Sequence, residues 1–168
     1  MTALKLTGAA LMASGAVLYG FWGLFVLKQR LDTIRKLTAS LLYIVSRMEF
    51  SQLSIIEIFR EISARSDGRV GVMYSELAKG LENRGDIDAL WTEALQKTLY
   101  NAEECEVFMP LGLCLGMTDI NVQLKTAQMA VNDAREYEKR LRERIERYKA
   151  VDMRLRMMCG AAAVILLI

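Results

Sequence analysis

The sequence predicts an all-α protein, and three observations carry that expectation. Apolar residues recur at steps of three and four along nearly the whole chain. No stretch alternates with period two, and no Asn-Gly pair marks a hairpin. Ser, Asp and Asn stand where apolar stripes begin, the place of helix N-caps. Two uncharged ends complete the layout. The 168 residues divide into an N-terminal transmembrane anchor (1–27), a helical body (28–156) and a short C-terminal membrane segment (157–168).

Leu6 to Leu27 carries no charge and lies between Lys5 and Lys28. As a helix it reaches about 33 Å, enough for a hydrocarbon core of about 30 Å. A cleaved signal peptide is the competing reading. Its apolar region is usually shorter, and Tyr19-Gly20-Phe21-Trp22 offers no small-x-small cleavage site. Ala16 and Gly20 form a small-xxx-small pair suited to packing another helix. Lys5 precedes the span, while Lys28, Arg30, Arg35 and Lys36 follow it. That excess puts the body on the cytoplasmic side. Met157 to Ile168 is also uncharged but covers only about 18 Å as a helix. It crosses a bilayer only with help from snorkelling Arg154 and Arg156 and local thinning. A buried helix end is the alternative.

Inside the body, Leu31, Ile34, Thr38, Leu41, Val45 and Met48 share one helix face. Ser54 and Glu57 form a capping box ahead of Ile58, Phe59 and Ile62. Ser66-Asp67-Gly68 breaks the chain before Val70, Met73, Leu77 and Leu81. Asn83-Arg84-Gly85 ends that stripe, and Asp86 caps the next, with Leu90, Trp91, Ala94 and Leu95 on its inner face. Asn101 opens a further helix that meets Pro110, where a kink is expected. Gly116 suits the left-handed position after it, with Thr118 or Asp119 as the following cap. The last helix starts near Ile120. Ala127, Val131, Ala134, Leu141, Ile145 and Tyr148 mark its apolar face, and opposite-sign pairs such as Glu143–Arg147 stud its charged face.

Charge is unevenly spread. Residues 28–49 hold five basic and two acidic groups, residues 50–131 seven and twelve, and residues 132–156 nine and six. The basic ends suit anionic lipid head groups. The acidic middle disfavours nucleic acid and offers a surface to a basic protein partner. Asp86, Asp88 and Glu93 are the candidate partner-binding residues. As carboxylates at or near a helix start, Asp86 and Asp88 also simply suit the helix dipole, and Glu103 and Glu104 do the same on the next helix.

Catalytic signals are lacking. The chain has no His, no phosphate-binding GxxxxGK[ST], no GxGxxG and no GxSxG. No cofactor or metal is expected, and no enzyme activity. Cys105, Cys114 and Cys159 are odd in number, without a CxxC spacing. In apolar surroundings they read as small hydrophobes in a reducing compartment.

Three stretches carry a resemblance. Leu115-Gly116-Met117-Thr118-Asp119 with Gln123 resembles a Leu-Gly-x-Ser/Thr-Asp-x-x-x-Gln junction. Ala89-Leu90-Trp91 with Ala94-Leu95 resembles an Ala-x-Trp-x-x-Ala-Leu segment, slightly shifted. Gly160 followed by Val164 to Ile168 resembles a Gly-rich, Val-Ile-Leu-Leu ending. These are features of the stage III sporulation protein AB family. Ser51-Gln52-Leu53-Ser54 departs from it where the family often has Pro. The resemblance implies an antiparallel bundle of about six helices, similar to the type II secretion system F domain. It implies a part in endospore formation, as one component of a secretion-like channel between mother cell and forespore. The body would face the mother-cell cytoplasm and meet a secretion-type ATPase of the same apparatus, with other channel membrane subunits and membrane lipid as further partners. Gly116, Thr118, Asp119 and Gln123 match the junction and are expected to be structural. The rival expectation is a purely structural membrane subunit that oligomerises through its membrane helices.

Overall fold

The computed structural model describes the backbone of residues 2–50, 53–115 and 120–167, and the side chains of 22–49, 53–115 and 122–151. Six helices account for the described chain: α1 (Thr2–Phe50), α2 (Ile55–Arg65), α3 (Arg69–Glu82), α4 (Ile87–Thr98), α5 (Ala102–Leu115) and α6 (Ile120–Leu167). No strand occurs among the described residues. The chain forms two compact units. One joins Met1–Gln29 with Arg140–Ile168, and the other is Arg30–Lys139. Hydropathy had drawn the body at 28–156; compactness draws its unit inside those limits.

Among the described residues, no helix is long and apolar enough to cross a membrane. The expected C-terminal segment and all but the end of the expected N-terminal anchor fall on residues whose side chains lie outside that set. In the unit holding both ends, Trp22 and Phe25 are exposed just before Lys28. Leu141 and Ile145 are buried. Lys149 meets Glu146 at 2.7 Å, and Arg147 lies 3.8 Å from Glu143. Tyr148, expected on the apolar face, is exposed.

The Arg30–Lys139 unit is an antiparallel bundle. Arg35 bonds Glu138 and Glu49 accepts from Gln128, so α1 and α6 run in opposite directions. Ser63 donates to the Gly71 carbonyl at the α2–α3 turn, and Trp91 donates to the Phe108 carbonyl across the α4–α5 hairpin. The centre is aromatic. Phe59, Tyr74 and Trp91 are fully buried, with ring centroids 5.3 to 6.3 Å apart. Ile34, Leu37, Leu41 and Ile44 of α1 and Ala127, Ala130, Ala134 and Tyr137 of α6 join them in the core.

Each turn has a local cause. Ser54 and Glu57 complete the capping box in both directions. Gly68 holds φ 75° and ψ −144°, a conformation open to glycine, so the chain reverses there. Gly71 then approaches so closely that a Cβ would lie 2.0 Å from the Ser66 carbonyl oxygen. At the end of α3, Gly85 N–H bonds the Gly80 carbonyl and Arg84 N–H bonds that of Leu81, a Schellman pair. The left-handed residue is Arg84 at φ 60°, not the glycine beside it. Pro110 does not end α5, which continues to Leu115.

Candidate partner-binding surface

Helix α4 carries the three residues that the charge pattern singles out. Asp86 is its N-cap, with its side chain accepting from Ala89 N–H at 3.4 Å. The turn before it is firmly set. Leu90 packs over Gly80 and Gly85, where a Cβ would come within 2.8 Å of its methyl carbons. Glu93 lies seven residues on from Asp86, two helical turns along the same edge, and both are exposed. Asp88 does not join them. It is half-buried, and its Oδ1 is enclosed without a hydrogen-bond partner.

Glu93 is not a bare charge. Lys97 donates to it at 2.7 Å, an i,i+4 pair with both side chains well exposed. That hydrogen bond first, and the ammonium charge second, hold the Glu93 carboxyl below its ordinary range; the same pair holds Lys97 above its own. Of the two exposed carboxylates, Glu93 is thus met by a cation and Asp86 by a backbone N–H. The edge is polar, with both carboxylates exposed.

A second acidic group lies elsewhere. Six acidic residues and one basic residue stand between Asp86 and Glu106. The α4–α5 hairpin separates them to opposite ends of the bundle. Glu104 bonds Arg30, the first residue of the unit, while Asp86 lies a full α4 length away, about 18 Å. The acidic middle of the sequence thus has two surfaces, not one.

Glu104 itself departs from its expected place as a solvated helix-start carboxylate. It is fully buried. Its Oε1 accepts from Arg30 Nε at 2.9 Å and Nη2 at 2.7 Å, and its Oε2 accepts from Tyr100 N–H at 2.9 Å. Its own N–H bonds Asn101 Oδ1, the cap. Burial, the largest single influence, works to lower the Arg30 pKa, but the hydrogen bond and charge of Glu104 together with Tyr137 raise the guanidinium overall. Tyr137 completes the cluster: burial first, then the Glu104 charge, pushes its phenol up. The signal was present in the sequence. Glu104 is spaced four and seven residues from Phe108 and Leu111, and Arg30 four and seven from Ile34 and Leu37, so both lie on core-facing stripes.

In the junction, Gly116, Thr118 and Asp119 lie outside the described residues. Gln123 Nε2 donates to the Leu115 carbonyl at 3.1 Å, tying the start of α6 to the end of α5. Burial pushes the Cys114 thiol up to about 11 and also raises that of Cys105, which leaves both as thiols near neutrality. No group of three His, Cys, Asp or Glu side chains suited to a metal occurs among the described residues.

Six helices, and no strand among the described residues, define the class as an all-α helical bundle protein. The chain belongs to the stage III sporulation protein AB family, whose model matches residues 5–168. Membership places it in sporulation. A solved structure, "Stage III sporulation protein AB (SpoIIIAB)", is similar at 22% identity and a TM-score of 0.64, over 70% of this chain and 96% of that one. At that identity the likeness speaks for the helical fold. No curated protein matches the chain.

Proposed function

We propose that this chain is a non-enzymatic membrane platform in the sporulation apparatus, part of a secretion-like channel between mother cell and forespore. Its apolar ends anchor it in the mother-cell membrane around the forespore, and its bundle faces the mother-cell cytoplasm. There it docks a secretion-type ATPase. The carrying observation is the exposed edge of α4, where Asp86 and Glu93 lie two turns apart. Exposed Trp22 and Phe25 beside Lys28 support the anchor, because aromatic residues followed by a basic one mark a membrane interface. A rigid bundle suits a platform, since docking two preformed surfaces avoids the cost of ordering loops.

The test is binding of the full-length protein, in nanodiscs, to the ATPase of the same apparatus. Affinity is expected to fall with added salt, as an exposed charged contact is screened. Asp86→Asn keeps the cap and removes the charge, and is expected to weaken binding a few-fold; Glu93→Gln does so to a lesser degree because Lys97 already compensates it. Salt-independent binding, or none, overturns the electrostatic platform and favours a structural subunit that assembles through its membrane helices.

A further inference from the structure

The end of the bundle near Arg30 carries a groove that the platform does not use. It is an open groove of about 420 Å³ between α4 and α5, with Leu99, Tyr100, Ala102, Cys105, Glu106 and Met109 among its lining residues. Arg69 holds its aromatic wall in place. The guanidinium stacks 4.9 Å from the centre of the Tyr100 ring and donates to the Thr98 carbonyl. Glu103 and Glu106 are exposed at α5 beside it. The groove combines apolar and aromatic side chains with the polar Gln96 and Asn101 and the carboxylate of Glu106, the complement of a helix that presents an aromatic residue between cations.

The chain contains such a helix. From Lys139 to Lys149, α6 has six basic and two acidic residues. Arg144, Arg147, Tyr148 and Val151 are exposed on neighbouring turns, Tyr148 at 56% and Val151 at 54%. We infer that the α4–α5 groove of one copy receives the Arg144–Val151 stretch of α6 from a second copy. Tyr148 enters between Tyr100 and Met109, and Arg144 and Arg147 meet Glu103 and Glu106. Each copy offers both halves of the contact, so association builds a reciprocal pair, a ring or a row. Opposite charge steers the encounter. The residues are not those of the α4 docking edge, so the two proposals stand or fall separately.

Sedimentation of the full-length protein in detergent tests this. At low salt, association should rise with protein concentration, and salt should weaken it. Glu103→Lys/Glu106→Lys and, separately, Arg144→Glu/Arg147→Glu are each expected to weaken it at least about tenfold. Mixing the two variants restores association, because the unaltered α6 of one meets the unaltered groove of the other and the reversed charges match as well. A monomer at every concentration in low salt overturns the inference. So does association unmoved by salt and by both reversals, the behaviour of contacts through the apolar helix segments, and so does a mixture that fails to pair. If the α5 variant loses helix content, the α6 variant, altered on an exposed face, decides alone.

Discussion

Arg30 and Glu104 are the residues on which the bundle depends most sharply. Glu104→Ala leaves the guanidinium without its carboxylate and Tyr100 N–H without an acceptor. The expected loss is about 3 kcal/mol or more, read as a lower urea midpoint. Replacing both partners by apolar residues, Arg30→Met with Glu104→Leu, should recover most of it, less the unmet Tyr100 N–H. Arg84 points the other way. A left-handed conformation costs an L residue about 1–2 kcal/mol, while glycine costs about 0.5–1 in chain entropy. Arg84→Gly is therefore expected to stabilise the protein by about 0.5–1 kcal/mol, visible as a higher thermal midpoint.

At the scale of elements, the hairpin α4–α5 is set by one close approach. A Cβ on Gly112 would lie 2.4 Å from Trp91 Cδ1, and the indole has no room to retreat because Phe59 and Tyr74 pack against it. Gly112→Ala should cost about 1–3 kcal/mol as overpacking, in spite of the better helix propensity of alanine. Much of the element order was legible in the chain. Ser54, Asp86 and Asn101 cap where their spacing places them, and Ser66-Asp67-Gly68 breaks where glycine is needed. Two matters were not legible. Arg84, and not Gly85 beside it, takes the left-handed conformation, against a local propensity that favours glycine there. The two acidic surfaces separate because α4 and α5 run antiparallel, which the linear charge count averages away.

For the whole molecule, burial of protonated acids fixes how stability responds to pH. Tyr74 is pushed well above the usual phenol range by burial, against the smaller effect of its hydrogen bond to Ser40, and Cys114 rises to about 11. Both are raised in the folded state, so the fold holds their protons more tightly than the unfolded chain. Their contribution is complete below the unfolded values of about 8.5 for Cys and 10 for Tyr, and declines as pH rises past them. Denaturant midpoints should fall above about pH 9, and Tyr74→Phe with Cys114→Ala should flatten that decline.

The two tryptophans, finally, give the chain an optical label for each of its units. Trp91 is sealed in the core of one, while Trp22 is 72% exposed in the other. Trp22→Phe leaves an emission that follows bundle unfolding alone. Trp91→Phe leaves one that senses the surroundings of the apolar N-terminal segment. Transfer of that variant from detergent into vesicles doped with a bromine-labelled acyl chain should quench Trp22 if the ring lies at the lipid boundary, and leave its brightness unchanged if it faces water.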